Sequence, residues 1–168
     1  MIVLADSSPL IALCQVQQVS LLRKFYGEII ISREVYEEIA VAGDGLPGAD
    51  EIRNSAWIRV ASAPSPPAEV QAACAGLGPG ERSLIWLAWS LKADLLLIDE
   101  WRARRVAKGI GLTIAGSVAI LEQGARLGYI ADLTLLYADL LRKGIYYNPR
   151  LLNESLERLG LPGLRMEP

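Results

Sequence analysis

Two aspartates end short aliphatic runs. Met1-Ile2-Val3-Leu4-Ala5 leads into Asp6, and Leu95-Leu96-Leu97-Ile98 leads into Asp99. Runs of this kind, with no polar alternation, read as strands buried on both faces of a parallel sheet. Each aspartate then stands at the carboxyl end of its strand, the edge at which open α/β sheets bind ligands. Two glutamates on helix starts can join them: Glu81, after Gly78-Pro79-Gly80, and either Glu34 or Glu38, which share one side of a helix beginning at Ser32. Carboxylates gathered in one cleft without matching bases repel one another unless a cation lies between them. Oxygen ligands without His or Cys suit Mg²⁺ or Mn²⁺, which hydrolyse phosphate esters by activating water and stabilising the leaving oxygen. No histidine occurs in the sequence, which removes Ser-His-Asp and Cys-His catalysis and imidazole zinc sites. The competing reading makes each acid a helix cap, satisfying free N–H groups and favoured by the helix dipole.

The elements that must position these acids follow from the rest of the chain. A length of 168 residues with 52% hydrophobic content suits one compact domain with a substantial core. Strands are expected near 2–5, 28–31, 57–60, 95–98 and 112–115, separated by helices, which predicts a three-layer α/β/α sandwich with a mostly parallel central sheet. Helices are expected over 9–14, from Ser20 to Gly27, from Ser32 onward, and over 49–55, 81–91 and 100–108. Ser117 is expected to cap a helix over 118–126. Two more are expected from Asp132 to Gly144 and from Asn148-Pro149, with a loose tail after Gly160. Ala63-Pro64-Ser65-Pro66-Pro67 reads as a stiff connection inside the domain. Gly76-Leu77-Gly78-Pro79-Gly80-Glu81 does not follow a strand and lacks the Lys-Ser/Thr of a phosphate loop, so it reads as a helix entry. Cys14 and Cys74 have no metal-ligand spacing and read as small buried side chains in helices.

No apolar run reaches the roughly 18 to 20 residues of a membrane helix, and Asp6 stands where a signal peptide would carry basic residues, so a cytoplasmic protein is expected. A net charge of -2 means that a nucleic-acid partner must be held by a local basic surface. The helix over 100–108 offers one, with Arg102 and Arg105 three apart on one side and Arg104 and Lys108 four apart on an adjoining one.

At these residues the sequence resembles the PIN-domain nucleases, in particular an uncharacterised prokaryotic branch related to the toxins of toxin-antitoxin pairs. The likeness is carried by Val3-Leu4-Ala5-Asp6-Ser7-Ser8-Pro9-Leu10-Ile11, by Ile31-Ser32 through Val35-Tyr36-Glu37-Glu38-Ile39, by Gly78-Pro79-Gly80-Glu81, and by Leu97-Ile98-Asp99-Glu100 through Ala103-Arg104. It implies a PIN-like core over 1–126, with 127–168 as a helical extension of the same domain. It also implies metal-binding acids at Asp6, Glu38, Glu81 and Asp99, with Glu100 as an auxiliary ligand. Ser7 and Ser117 take the family's small hydroxyl positions, orienting water or phosphate. Where classical toxins more often have Asp, this chain has Glu81. The implied activity is that of an Mg²⁺- or Mn²⁺-dependent endoribonuclease acting on RNA, with a small antitoxin-like protein and a second copy of the chain as further partners. The alternative is a non-catalytic PIN-like module that engages a protein partner. A phospho-acceptor receiver domain also uses strand-end acids and Mg²⁺, but it is disfavoured by the lack of a convincing late lysine and of the adjacent acidic pair at the end of its first strand.

Overall fold

The computed structural model describes residues 1–165; the end of the tail expected to be loose, 166–168, lies outside the described residues. Five strands, β1 (Val3–Ala5), β2 (Ile29–Ser32), β3 (Ile58–Ala61), β4 (Leu95–Leu97) and β5 (Ile114–Ala115), form one sheet in the order β3-β2-β1-β4-β5. Every pairing is parallel, with Leu4 beside Ile30 on one side and Leu96 on the other, and Ala5 beside Leu97. The aliphatic runs supply what such a sheet needs, since β1 and β2 are buried throughout, whereas the edge strand β3 buries only Ile58. The chain leaves β1 for β2 and β3, then returns across the sheet to β4 and β5. The switch in direction falls between β1 and β4.

Helices cover both faces in a three-layer α/β/α sandwich. They are α1 (Ser7–Gln15), α2 (Ser20–Tyr26), α3 (Arg33–Tyr36), α4 (Ala49–Asn54), α5 (Ala68–Ala73), α6 (Pro79–Ser90), α7 (Trp101–Gly109), α8 (Ser117–Arg126), α9 (Leu133–Arg142) and α10 (Pro149–Arg158), with a π-helical segment Glu37–Ala42 continuing α3. α1 and α2 pack on α8, α9 and α10 pack on α8 and on each other, and α3 packs on α6. Leu133, Tyr137, Leu140, Leu152 and Leu156 of the last two helices are buried in the same core as the strands. Among the described residues, no helix is long and apolar enough to cross a membrane.

Several local expectations need correction. Ser20 and Ser117 are not caps: Val19 and Gly116 hold those positions and each serine is the first helical residue. α1 begins at Ser7 and α6 at Pro79, each two residues before its expected start, because both helices take up the residues that precede the apolar stripe. Cys74, expected within a helix, is instead the C-cap of α5, a helix whose bounds the sequence does not give because Val70 is its one buried residue, too little to make a periodic pattern. The tail after Gly160 is held as far as it is described. The Leu164 N–H donates to Asn153 Oδ1 at 2.8 Å, Thr134 Oγ1 donates to the Pro162 carbonyl at 2.8 Å, and Leu164 packs against the core. The helices expected to start at Ser32, Asp132 and Asn148 do so, and each of these side chains caps its helix by accepting a backbone N–H.

Candidate functional site

The switch between β1 and β4 brings the two strand-end aspartates to the same edge of neighbouring strands, because the Asp6 N–H continues the ladder by donating to the Leu97 carbonyl at 2.9 Å. In open α/β sheets a crevice opens at such a point, outside the carboxyl ends of the strands. Asp6 occupies the N-cap position of α1, yet its side chain makes no capping bond. It is only 2% exposed and its Oδ1 has no hydrogen-bond partner. Burial pushes its carboxyl up to about 7; the Ser7 backbone N–H counteracts this, and the charges of Glu81, Glu38 and Asp99 push it further up.

The other three acids lie around this point on three different stretches of chain. Glu38 lies in the π-helical segment, a form of helix frequent at functional sites because it rephases the residues it carries. Its carboxylate approaches the first turn of α6 so closely that a Cβ on Gly80 would lie 2.9 Å from Glu38 Oε2. Glu81 folds back on the start of its own helix, where Oε2 accepts the Gly78 N–H at 3.1 Å. Asp99 does not cap the helix that follows it. Its Oδ1 accepts the Ser117 N–H at 2.8 Å and its Oδ2 accepts the Ser117 hydroxyl at 2.7 Å, so it closes the start of α8 from a distance. Gly116 makes that approach possible, since a Cβ there would stand 2.6 Å from Asp99 Oδ1. Tyr147, from the segment between α9 and α10, completes the group: its hydroxyl lies 2.5 Å from Ser117 Oγ and 3.4 Å from Asp99 Oδ2. Glu100 caps α7, accepting the Ala103 N–H at 2.7 Å. Ser7 is buried in the first turn of α1 beside Asp6.

Among the described residues, no three acidic side chains converge as a ready ligand set. Like charges at this density stay apart unless a cation compensates them, and Glu81 and Asp99 have taken N–H groups instead. The donor chemistry nonetheless fits a hard divalent cation. All the candidates are carboxylates, and the buried Asp6 Oδ1 is an acceptor with nothing to accept.

A cleft of about 1040 Å³ opens from Asp99 between α1, α7, α8 and α10, with Trp101, Tyr146 and Tyr147 on its walls. Arg104 lines it, donating to the Ile98 carbonyl at 2.7 Å. Arg102 and Arg105 flank a smaller hollow with Trp101 and Gly76, and the Arg105 guanidinium sits 4.8 Å from the centre of the Trp101 ring. Lys108 is exposed in the last turn of α7. The basic helix therefore divides, with Arg104 brought beside the acids and the Arg102/Arg105 pair turned to the neighbouring hollow.

A family model described as a PIN domain matches residues 2–161, nearly the whole chain. The chain belongs to the PIN-domain family. PIN domains have a nuclease-type fold and typically use divalent metals. The match extends through α9 and α10, beyond the stretches whose motifs carry the resemblance. No curated protein matches the chain.

Sequence reading missed Gly80, Gly116 and Tyr147. The two glycines precede Glu81 and Ser117 directly, and a glycine beside a candidate polar residue is a usable sign of close backbone approach. Tyr147 leaves no such sign, because only the tertiary fold brings it to Asp99.

Proposed function

We propose that this PIN-domain protein is a metal-dependent endoribonuclease whose cation is held by Asp6, Glu38, Glu81 and Asp99. The observation that carries the reading is the buried Asp6 carboxylate, one oxygen unpartnered, in the combined field of the other three acids. A carboxylate kept in such a place is a cost to folding that a cation would remove. Mg²⁺ or Mn²⁺ bound there supplies Lewis acidity, activating water and neutralising charge on the phosphate. In this reading Ser117 orients Asp99, Ser7 contributes a hydroxyl next to Asp6, and Glu100 is an auxiliary acid while it caps α7. Arg104 draws the RNA backbone toward the cleft, with Arg102, Arg105 and Lys108 extending the basic surface along the helix. The likeness to the toxin branch extends the proposal to a toxin held in check by a small protein partner, and to pairing of two copies.

The second reading, a non-catalytic interaction module, is favoured by one observation: Glu81, Asp99 and Glu100 all accept N–H groups as caps would. Incubation with a panel of single-stranded RNA oligonucleotides, with Mn²⁺ or with EDTA, separates the two. The nuclease reading expects Mn²⁺-dependent cleavage that disappears in Asp6→Asn and Asp99→Asn, together with a rise in melting temperature on adding Mn²⁺ that Asp99→Asn largely removes. No cleavage and no thermal shift in the wild type would leave the interaction module standing.

A further inference from the structure

Among the described residues, Tyr147 is where the segment after α9 bonds to Asp99, and the bonds there have a direction. As a carboxylate Asp99 Oδ2 can only accept, and Ser117 Oγ lies nearer to it than the Tyr147 hydroxyl does, 2.7 against 3.4 Å, so the Ser117 hydroxyl gives its single proton to it. Ser117 Oγ then has only lone pairs to offer, and the short contact to Tyr147 requires the phenol to be the donor. The result is a chain from Tyr147 O–H to Ser117 O–H to Asp99, with Tyr147 8% and Ser117 0% exposed and Asp99 half-buried at the cleft. Hydrogen bonds that end on a carboxylate are short and orienting. Residues that hold a ligand's carboxylate are ordinarily worth about 10- to 100-fold in metal affinity or activity.

We propose that Tyr147 is a positioning residue, which sets the orientation of Asp99 toward the cation through Ser117, and that the segment between α9 and α10 is thereby part of the functional site. This rests on the nuclease reading given above. The cleft supports it, because Tyr147 forms part of the wall into which Asp99 also faces.

The molecule provides its own control. Tyr137 is fully buried and its hydroxyl bonds to Ser155 Oγ at 2.7 Å, the same kind of phenol–serine pair in the same helical region but bonded to neither Ser117 nor Asp99. The test uses the full chain and compares wild type, Tyr147→Phe, Ser117→Ala and Tyr137→Phe. Mn²⁺ affinity is measured by titration calorimetry, kcat and KM are measured on a single-stranded RNA oligonucleotide, and folding is followed by circular dichroism. Tyr147→Phe should weaken Mn²⁺ binding by about 10-fold and lower kcat by a similar factor with KM unchanged. Tyr137→Phe should change neither, although it loses a comparable amount of thermal stability. Ser117→Ala cuts the same chain and should reproduce the Tyr147→Phe losses, which keeps the test decisive if Tyr147→Phe does not fold. Wild-type Mn²⁺ affinity in a folded Tyr147→Phe or Ser117→Ala, or equal losses in Tyr137→Phe, overturns the role of Tyr147 and leaves the nuclease reading intact. A wild type that neither binds Mn²⁺ nor cleaves RNA overturns the nuclease reading and this inference with it.

Discussion

Asp6 is a carboxylate in a place that favours a carboxylic acid, and the sign of that preference can be tested. With a carboxyl at about 7 in the folded chain against 3.8 in the unfolded one, protonated Asp6 stabilises the fold fully below pH 3.8, and this contribution is lost as pH rises through 7. Replacement by Asn removes the titration. In EDTA at pH 7, Asp6→Asn should therefore be more stable than wild type by about 1–3 kcal/mol in chemical denaturation, with the gap closing as pH falls toward 4. A less stable Asp6→Asn at pH 7 would mean that the charge is useful to the fold, as a cap's would be. Gly116 gives a second test. A Cβ there meets Asp99 Oδ1 at 2.6 Å, so Gly116→Ala should displace the carboxylate, cost about 1–3 kcal/mol and abolish any cleavage, whereas Gly109→Ala, with open space around it, should cost nothing. At this scale the sequence is legible where an acid ends a strand, as at Asp6 and Asp99. It is ambiguous between Glu34 and Glu38, because a π-helical turn cannot be read from spacing that assumes a regular helix.

Among elements, those whose ends are set by local bonds were the readable ones. Ser32, Asp132 and Asn148 each cap the helix that starts beside them, and each was visible in the sequence. The start of α8 was misread for the opposite reason, since the group that closes it is Asp99, eighteen residues away along the chain. α7 carries the functional prediction at this scale. Its Arg102 and Arg105 face the hollow beside Trp101, away from Asp99, so they can hold phosphates without taking part in chemistry. Replacing both with Ala should weaken binding of single-stranded RNA regardless of its sequence and lower the slope of log affinity against log salt by about 1 to 2. Binding is best measured in EDTA, where cleavage does not interfere. An unchanged slope would make this an ordinary solvated face.

At the scale of the molecule, the alternation of strands and helices made the layered architecture legible, but strand order was not. Nothing in Leu95-Leu96-Leu97 says that its neighbour is the first strand; right-handed crossovers and the burial of both faces permit that order without singling it out. The role of the chain beyond residue 126 was equally hidden, because its leucines pattern as amphipathic helices that could have packed anywhere. They pack into the sheet's own core, where Tyr137, Leu140, Leu152 and Leu156 are fully buried. Each large side chain removed from such a site costs about 2–5 kcal/mol, and a typical domain has only about 5–15 kcal/mol of stability in all. A chain ending at Arg126 is therefore expected to show no cooperative unfolding transition by circular dichroism, and a sharp transition there would mean that the core stands without α9 and α10.

The central place of β1 also governs when the site can exist during synthesis. Asp6 emerges from the ribosome first, but the strand that carries it has to wait for β4 before it is flanked on both sides, and Asp99 has to wait for Tyr147. At about 5–20 residues per second, that interval is on the order of 10 s. Throughout it the nascent chain gathers its acids one after another, on a sheet and a hydrogen-bond chain that are both unfinished.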